Sequence, residues 1–395
     1  MKILFYYFST CAGGQQLQIL NLAKNFKSFG HDIIWIYEEK GDVLNEFHNF
    51  GQSIKIPSEK FLINTNIYII RAIGIILSNI YKYFFLKKFF KKNKIDLVLS
   101  SDSLMSYIIG KSIKKYKRNH CRLVGADLEQ YEPFFKFYKF LEVDKYIDFY
   151  FGFPLVYNSL LKKNVSSKKF TNFQHNAVDT EKFFPLANDI NMQTKKKLDI
   201  KKEEFTIGWV GRLDHYYGSR HLLSIGKNLL ENGINNFKII YVGGGFIVNE
   251  EEDMSYVNFL KKRAKNYGLS NQTLFLGWVN PEKVLKYYNV MDFVPMLEKD
   301  PTGGSILREA MACGRVAISV DGPSKAQRAF MNPENSILVN HKNFVYNASK
   351  QIMLNYKNKE YQKKIGINAR KFCIENLSFK KQAQDIMYYV DDKKI

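Results

Sequence analysis

The sequence predicts an α/β protein made of two doubly wound parallel-sheet domains in tandem. Three observations point to this class. The chain has 395 residues, which suits two domains better than one ordinary core. Short apolar runs alternate with helical patterns, as they do in a parallel sheet covered by helices on both faces. The alternation breaks in a polar stretch at residues 185–204 and then starts again.

Each half supplies its own run of predicted elements. In the first half we expect strands at residues 2–8, 32–37, 96–100 and 121–125, with the first helix at 15–29. In the second half we expect strands at residues 205–210, 237–242, 273–276, 292–296 and 316–320. The chain therefore divides into an N-terminal domain of residues 1–190 and a C-terminal domain of residues 191–375. A final helix at 376–395 is expected to pack back on the N-terminal domain.

The charge of the chain is strongly positive and unevenly distributed. Lys and Arg number 59 against 38 Asp and Glu, which gives a formal net charge of +21. Residues 51–122 alone contain 15 basic and 3 acidic residues. Such a cluster attracts nucleic acid, anionic lipid or acidic substrates, although a generally Lys-rich composition explains the total charge equally well. Without an RNP or zinc signature, we do not expect a nucleic-acid partner.

The cysteines and the N-terminus indicate the compartment. Cys11, Cys121, Cys313 and Cys373 are far apart in sequence, and their spacing fits neither a metal site nor a disulfide framework. No Asp-x-Asp motif is present. The N-terminal residues lack a signal-peptide cleavage pattern. We expect reduced thiols, no bound metal, no cofactor and a cytoplasmic protein.

Residues 67–86 are the best candidate for membrane contact. They include Arg71, Ser78 and Lys82, so they do not form a clean apolar span. On a helix these three polar residues fall within about 40° of one another, and the remaining surface is apolar. This pattern predicts a helix lying in an anionic membrane surface, and a core helix with a narrow polar stripe fits it equally well. The aromatic and basic residues expected at that surface are Phe84, Phe85, Phe89, Phe90, Lys87, Lys88, Lys91 and Lys92.

Two glycine-bearing turns follow predicted strands. Gly13 and Gly14 stand between the first strand and the first helix, where the backbone can approach a ligand and a helix N-terminus favours an anion. The full G-x-G-x-x-G fingerprint is absent, which argues against a nicotinamide dehydrogenase. Gly243, Gly244 and Gly245 end another predicted strand, where a tight turn explains them just as well.

The most informative turn is DPTGGSILREAMACG at residues 300–314. Gly303 and Gly304 precede a predicted helix whose first turn holds Ser305, and the free N–H groups there can bind a diphosphate. Glu309 lies roughly 7 Å further along the helix, where its carboxylate can accept both hydroxyls of a ribose. A solvated Glu is the weaker explanation, because the neighbouring residues are apolar. The spacing predicts a nucleoside-diphosphate site.

Four motifs resemble the retaining family-4 glycosyltransferases of GT-B fold. They are HNAVDTEKFFP at residues 175–185, GWVGRL at 208–213, FLGWV at 275–279 followed by EKVLKYYNVMD, and EAMACG at 309–314. They cover most of the C-terminal half in the expected order. The resemblance implies two Rossmann-like domains facing across a cleft, a nucleotide-sugar donor, no bound metal, and transfer with retention at the anomeric carbon. The acceptor would be a glycan or a lipid-linked molecule.

The resemblance also implies roles for individual residues. Arg212 would contact the donor diphosphate and Glu309 the ribose, while Gly13 and Gly14 would face the donor phosphates from the other domain. Fixed N–H groups and an Arg can stabilise the leaving diphosphate without a metal. Arg212 as the cap of a strand end remains an alternative.

Three positions depart from the family pattern. Tyr217 replaces the usual Lys, and Arg220 lies nearby in sequence to supply the missing charge. Pro301 replaces a second Glu, and the neighbouring Asp300 is our candidate for contacting the donor sugar, with Glu298 just upstream.

The third departure lies in the N-terminal half. The family's His-Asp near the reacting sugar reads Ala126-Asp127 here. Asp127 is the second catalytic candidate beside Asp300, and a helix cap explains it as well. The departures leave a second function open, a catalytically degenerate subunit that binds nucleotide or sugar without turnover.

Overall fold

The structure, a computed structural model, describes residues 1–9, 14–41, 44–57, 68–100, 103–113, 119–124, 143–152, 177–248, 251–299, 304–323 and 325–392. These residues form two compact units. The first comprises Met1–Ala177 and Phe379–Ile395, and the second comprises Val178–Ser378.

The first unit contains one parallel sheet of order β3-β2-β1-β4-β5-β6. Its strands are β1 (Lys2–Ser9), β2 (Asp32–Glu39), β3 (Gln52–Lys55), β4 (Leu97–Ser100), β5 (Asn119–Val124) and β6 (Phe149–Gly152). Its helices are α1 (Gly14–Ser28), α2 (Leu44–Phe50), α3 (Tyr68–Lys92), α4 (Ser103–Ile113) and a 3₁₀ turn at Val143–Tyr146.

Strand β1 shows why this sheet is buried on both faces. Successive side chains of a strand point to opposite faces. Ile3 and Phe5 pack with α1 on one face, while Leu4 and Tyr6 pack with α3 and α4 on the other. A continuous apolar run is therefore required here, as in other parallel sheets covered on both sides.

The second unit contains the other large sheet, and after it the chain goes back to the first unit. Its strands are β7 (Phe205–Val210), β8 (Phe237–Val242), β9 (Phe246–Val248), β10 (Glu251–Asp253), β11 (Thr273–Phe275), β12 (Phe293–Met296), β13 (Val316–Asp321) and β14 (Ile337–Asn340). Its helices are α5 (Asn188–Lys197), α6 (His221–Glu231), α7 (Ser255–Asn266), α8 (Val284–Val290), α9 (Ser305–Ala312), α10 (Phe344–Asn355) and α11 (Lys359–Phe372). The last helix, α12 (Phe379–Asp392), belongs to the first unit.

The sheet of the second unit has the order β11-β8-β7-β12-β13-β14, and its strands are parallel. Strands β9 and β10 pair separately as an antiparallel hairpin. When the strands of each large sheet are numbered along the chain by themselves, both sheets have the 3-2-1-4-5-6 order of the Rossmann fold. The predicted α/β class with two doubly wound domains is confirmed.

The chain crosses between the units earlier than the polar stretch predicted. Val178 already belongs to the second unit, so the predicted border at 190 lies within that unit. The polar stretch instead contains α5, where the side chains of Lys196 and Lys197 are exposed. Val178 donates its N–H to the Leu377 carbonyl (2.8 Å) and pairs with Ser378, so the chain enters and leaves the second unit at adjacent points.

Helix α12 packs in the core of the first unit. Ala383, Ile386 and Val390 are fully buried in the same cluster as Ile19 and Phe26 of α1. They recur at spacings of three and four residues, which places them on one face of the helix.

Helix α3 has an orientation that its sequence pattern did not settle. The side chains of Ser78 and Lys82 are 3% and 1% exposed, so this part of the polar stripe faces the interior. Lys82 Nζ donates to Glu38 Oε2 (2.8 Å), and Tyr6 donates its hydroxyl to Glu38 Oε1. A carboxylate at the end of β2 thus holds the lysine inside the protein. The side chain of Arg71 lies outside those described.

The expected membrane-facing phenylalanines of α3 do not share one environment. Phe84 is 61% exposed, but Phe90 is 1% exposed in the core of the first unit. Phe85 and Phe89 are half-buried and pack against that core. The prediction that all four face a membrane is therefore wrong. Within the described residues, no helix is long and apolar enough to cross a membrane.

Candidate functional site

The candidate site lies at the carboxyl edge of the sheet in the second unit. From β7 the chain passes to β8 on one side, and β12 lies on the other side. Connections therefore leave in opposite directions at β7 and β12, and crevices at such reversal points bind ligands in open α/β sheets. The loop after β7 carries Arg212, Asp214 and Tyr217, and the loop after β12 leads into α9.

Helix α9 begins after a glycine that the local packing requires. Gly304 has φ +109°, a value that L side chains rarely adopt, and a β-carbon there would lie 2.3 Å from Met296 Sδ. Ser305 follows at the first helical position and is exposed. The apolar side chains of Ile306 and Leu307 are buried in the core and anchor the helix. The free N–H groups of the first turn thus stand at the edge of the sheet, where an anion can bind.

The other end of α9 is fixed by a glycine turn. Gly314 has φ +68° and donates its N–H to the Met311 carbonyl (3.0 Å), and the Arg315 N–H donates to the Ala310 carbonyl (2.9 Å). This pair of bonds is a Schellman motif, which ends the helix at a defined residue. A helix anchored at both ends holds Glu309 in a fixed position.

Glu309 is held by a buried tyrosine. The Tyr288 hydroxyl donates to Glu309 Oε2 at 2.6 Å, and Tyr288 itself has no exposed surface. Phe183 packs edge-to-face on the Tyr288 ring, with the ring centroids 5.7 Å apart. Glu309 remains partly accessible to solvent. Its carboxylate is therefore oriented from the protein side while it can still accept hydrogen bonds from a ligand.

Opposing effects act on the ionisation of Glu309. Burial raises the pKa of its carboxyl, while the Tyr288 hydrogen bond and the charges of Arg308 and Lys182 favour the ionised form, as does the Ser305 hydroxyl. Burial and the neighbouring carboxylate also raise the pKa of Tyr288, which therefore stays protonated and remains a donor.

Arg308 is an unusual neighbour for this carboxylate. Its side chain is 1% exposed, and its three guanidinium nitrogens find no hydrogen-bond partner among the residues that the structure describes. Its guanidinium carbon lies 5.2 Å from the centre of the Phe330 ring. Burial lowers the pKa of Arg308 to about 10, so it remains a cation at neutral pH beside Glu309.

Arg212 is positioned by an acid and an aromatic ring. Its Nε donates to Asp214 Oδ2 at 2.6 Å, and its guanidinium carbon lies 5.4 Å from the centre of the Tyr217 ring. The Tyr217 hydroxyl also lies 3.4 Å from Arg212 Nη2. Tyr217, which replaces the family lysine, thus contacts the guanidinium of Arg212.

The loop after β7 lies against the end of β12. Gly218 has φ +76°, and a β-carbon there would lie 2.1 Å from the Leu297 carbonyl oxygen. Arg220 Nη1 donates to the His215 carbonyl (2.7 Å), and its Nη2 lies 3.3 Å from Glu298 Oε1. Burial raises the pKa of Glu298, and the charge of Arg220 opposes this rise. Arg220 is therefore paired with Glu298.

The glycine triplet after β8 ties neighbouring loops together. Gly243 donates its N–H to the Gly277 carbonyl (2.8 Å), and the Leu213 N–H donates to the Gly244 carbonyl (2.8 Å). The loops after β7, β8 and β11 are thus joined by backbone bonds, which explains the triplet structurally. Trp278, 47% exposed, stands beside Gly244 at this edge.

The structure places the predicted residues as follows. Arg212, Gly304, Ser305 and Glu309 all lie at the carboxyl edge of the sheet in the second unit, or on the helix that leaves it. Gly14 is the first residue of α1, the helix that follows β1 in the first unit. The remaining candidates lie outside the described residues, and they are Gly13, Asp127, Asp300 and Gly303.

Sequence reasoning missed three residues around Glu309, namely Tyr288, Arg308 and Lys182. Tyr288 lies within EKVLKYYNVMD and Lys182 within HNAVDTEKFFP, so both stood in motifs that we had singled out. A polar residue inside such a motif was the signal that could have identified Tyr288 and Lys182 as neighbours of the site. Arg308 offered a different one, a cation between the apolar Leu307 and Ala310 of a core-facing helix.

In the parts of the chain that the structure describes, no group of three or more His, Cys, Asp or Glu side chains comes together.

Residues 191–372 match the family described as Glycosyl transferases group 1. An uncharacterized glycosyltransferase of Methanocaldococcus jannaschii is 26% identical over 98% of this chain and 97% of its own length.

Two solved structures share the architecture over nearly the whole chain. A glycosyltransferase of Rickettsia africae superposes with a TM-score of 0.77 at 17% identity, covering 99% of this chain and 98% of that one. Anabaena HepE in complex with UDP gives a TM-score of 0.79 at 15% identity, covering 99% and 100%. The chain is therefore similar to the group 1 glycosyltransferases over residues 191–372, and it has the GT-B fold of these solved structures.

Proposed function

We propose that the protein is a metal-independent, retaining glycosyltransferase that moves a sugar from a nucleoside-diphosphate donor to a glycan or lipid-linked acceptor. One observation carries the proposal. Glu309, oriented by the Tyr288 hydroxyl at 2.6 Å, stands one turn along a helix whose free N-terminus lies at the sheet edge. A ribose at Glu309 places a diphosphate at Ser305, because four residues of helix span about 6 Å.

The chemistry of the donor suits these groups. The leaving diphosphate gains negative charge in the transition state, and fixed donors that meet this charge lower the barrier. The N–H groups after Gly304 and the guanidinium of Arg212 are such donors. The Asp214 contact at 2.6 Å and the ring of Tyr217 hold Arg212 in place before the ligand arrives, so little reorganisation is needed.

The residues that we expect to contact the donor sugar and the reacting carbon lie outside the described part of the chain. We propose that Asp300 contacts the donor sugar and that Asp127 lies near the reacting carbon. Gly13 and Gly14 contact the donor phosphates from the first unit. The enzyme acts in the cytoplasm, at the inner surface of the membrane when its acceptor is lipid-linked, in the synthesis of a surface glycan or glycolipid.

A panel of nucleoside diphosphates tests the donor site. UDP is the first choice, because HepE, which has the same fold, is in complex with UDP. A ligand at 100 times its dissociation constant stabilises the folded protein by about 2.7 kcal/mol, so the best ligand raises the melting temperature clearly. If no nucleoside diphosphate binds to the folded protein, the proposed function is wrong.

Turnover separates an enzyme from the alternative, a binding subunit without activity. We expect the purified protein to hydrolyse or transfer the sugar of the matching nucleotide-sugar, and NMR of the product to show the anomeric configuration of the donor. Activity should survive a chelator. Tight binding without any release of nucleotide would favour the degenerate subunit. That alternative is suggested by Tyr217 and Pro301, which stand where the resembled family has Lys and Glu.

A further inference from the structure

The first half of helix α3 is apolar on its outer surface, and the inner surface of the helix is partly polar. Ser78, Lys82, Leu86 and Phe90, each four residues apart, are 3%, 1%, 0% and 1% exposed. The buried lysine is neutralised by Glu38 at 2.8 Å. The pairing with Glu38 therefore fixes which side of the helix faces inward.

The opposite side carries large apolar residues in contact with solvent. Ile76, Leu77, Ile80, Tyr81 and Phe84 are 58%, 56%, 48%, 50% and 61% exposed. At 100° per residue they fall within about 140° of one another, so they form one continuous patch. Large contiguous apolar patches are uncommon on soluble monomers and mark contact surfaces.

The same side becomes basic toward the end of the helix. Lys88, Lys91 and Lys92 are exposed, and Lys87 lies 5.7 Å from the centre of the Tyr83 ring. These four lysines span a sector of about 140° that is rotated by only about 20° from that of the apolar patch, and they lie about one to two turns further along. From Tyr68 to Lys92 the sequence contains no Asp or Glu. The face is therefore apolar in its first half and purely cationic in its second.

We propose that this face of α3 docks on an anionic lipid bilayer. The apolar half enters the boundary between headgroups and acyl chains, as amphipathic interfacial helices do. The lysines extend along the surface and contact the anionic headgroups. The inference gives a location to the lipid-linked acceptor and rests on the proposed function in that respect.

Charge decides between a bilayer and a second copy of the chain. A symmetric dimer through α3 would bring the two sets of lysines near each other or set them against apolar side chains. Like charges in contact oppose association. An anionic lipid surface offers both an apolar phase and negative charge, so it complements both halves of the face.

Co-sedimentation with vesicles tests the proposal. We expect the full-length protein to bind vesicles of phosphatidylcholine mixed with phosphatidylglycerol, to bind pure phosphatidylcholine poorly, and to dissociate as salt is added. Changing Lys87, Lys88, Lys91 and Lys92 to Gln should weaken binding at least about tenfold, because each lysine near the surface contributes to attraction.

A matched variant controls for the loss of charge alone. Lys196, Lys197, Lys201 and Lys202 are also exposed, but they lie in the second unit. Changing these four to Gln removes the same charge and should leave vesicle binding within about twofold of the wild type. An equal loss in both variants would overturn the assignment to α3, as would wild-type binding that ignores lipid charge.

Insertion of the apolar half has its own readout. In a Phe84→Trp variant, the new indole should be quenched by lipids brominated in the acyl chains, whereas Phe84→Ser should bind more weakly than the wild type. An indole that is never quenched, or light scattering that shows a dimer dispersed by Phe84→Ser, would overturn the proposal. Glu309→Ala should bind vesicles normally, so failure of the donor site and failure of the docking face can be told apart.

Discussion

Both units hold a glutamate against a tyrosine hydroxyl, and the two carboxylates differ in what else surrounds them. In the first unit Tyr6 donates to Glu38, which is 1% exposed and paired with Lys82 at 2.8 Å. In the second unit Tyr288 donates to Glu309 at 2.6 Å. Glu309 remains partly accessible, and the guanidinium of its nearest cation in sequence, Arg308, makes no hydrogen bond to any described residue.

The difference separates a structural from a functional carboxylate. A buried charge is tolerated when it is paired and hydrogen-bonded, and Glu38 meets both conditions inside the protein. Glu309 is held on one side only, and a ligand can satisfy the rest of its hydrogen-bonding capacity. Mutations at the first carboxylate should act on stability, and mutations at the second should act on donor binding.

The largest effect is expected at Glu38. Removing one partner of a buried ion pair leaves the other charge uncompensated, which typically costs about 3–5 kcal/mol. Glu38→Gln should lower the free energy of unfolding by that amount, as measured by urea unfolding followed by circular dichroism. Glu309→Ala leaves the buried Tyr288 hydroxyl without its acceptor and should cost less, about 1–3 kcal/mol.

A double variant sharpens this expectation. Glu38→Leu with Lys82→Met replaces the pair by apolar groups and should recover part of the lost stability, since such replacements are often neutral but this one also removes the carboxylate to which the Tyr6 hydroxyl donates. If Glu38→Gln proves as stable as the wild type, the contrast between the two carboxylates fails.

Arg212 should show the largest effect on turnover. Arg212→Lys keeps the charge but loses the planar fork that Asp214 and Tyr217 hold in position. Hydrogen bonds to charged groups contribute roughly 1.5–3 kcal/mol, so the transfer rate should fall about 10- to 100-fold. Binding of the nucleoside without phosphates should change little. Unchanged transfer would mean that another cation, such as Arg220, meets the diphosphate.

Tyr288→Phe should have a smaller effect, and the property that changes should be the affinity for the donor nucleotide. The variant keeps the ring that packs on Phe183 and removes only the hydroxyl that orients Glu309. A lost hydrogen bond of about 0.5–1.5 kcal/mol corresponds to roughly 2- to 10-fold weaker nucleoside-diphosphate binding, which calorimetry can measure. Lys286→Gln, on the same helix, is the control and should bind like the wild type. Equal affinities in Tyr288→Phe and the control would show that the hydroxyl does not position the carboxylate.

The smallest effect is expected from pH. Ribose hydroxyls donate to ionised Glu309, so affinity should be complete above the raised pKa of this carboxyl and fall as pH drops through it. Arg308→Met removes a charge that lowers this pKa, so the fall in affinity should begin at a higher pH than in the wild type.

The pH profile of Glu309→Gln provides the background. It contains the titration of the diphosphate but lacks that of the carboxyl, so the difference from wild type isolates Glu309. Superimposable profiles for wild type and Arg308→Met would show that Arg308 does not act on Glu309.

A strand was predictable from the sequence where its own residues form a continuous apolar run with clear ends. Residues 205–210 and 237–242 were predicted with their observed bounds, because each is a continuous apolar run with a clear end. Strands β3, β6 and β14 were missed. Each has only four residues, but β4 and β12 are equally short and were predicted. Strands β4 and β12 are buried at every position, whereas β3 and β14 each include an exposed residue.

The candidate site was predictable in part for a related reason. Glu309 and the helix start follow from local spacing, whereas the Tyr288–Glu309 bond joins residues 21 positions apart and needs the packed sheet to form. Helix α3 was ambiguous because most of its surface is apolar. Its orientation is decided by Lys82 and Glu38, which lie 44 positions apart.

The most direct test of the donor site is a two-by-two binding measurement by calorimetry. Wild type and Glu309→Ala are each titrated with the nucleoside diphosphate that binds best and with its 2′,3′-dideoxy analogue. If Glu309 accepts the ribose hydroxyls, the wild type should lose about 10- to 100-fold in affinity for the dideoxy compound, and Glu309→Ala should bind both compounds equally. The same preference for the natural nucleotide in both proteins would show that the ribose is held elsewhere.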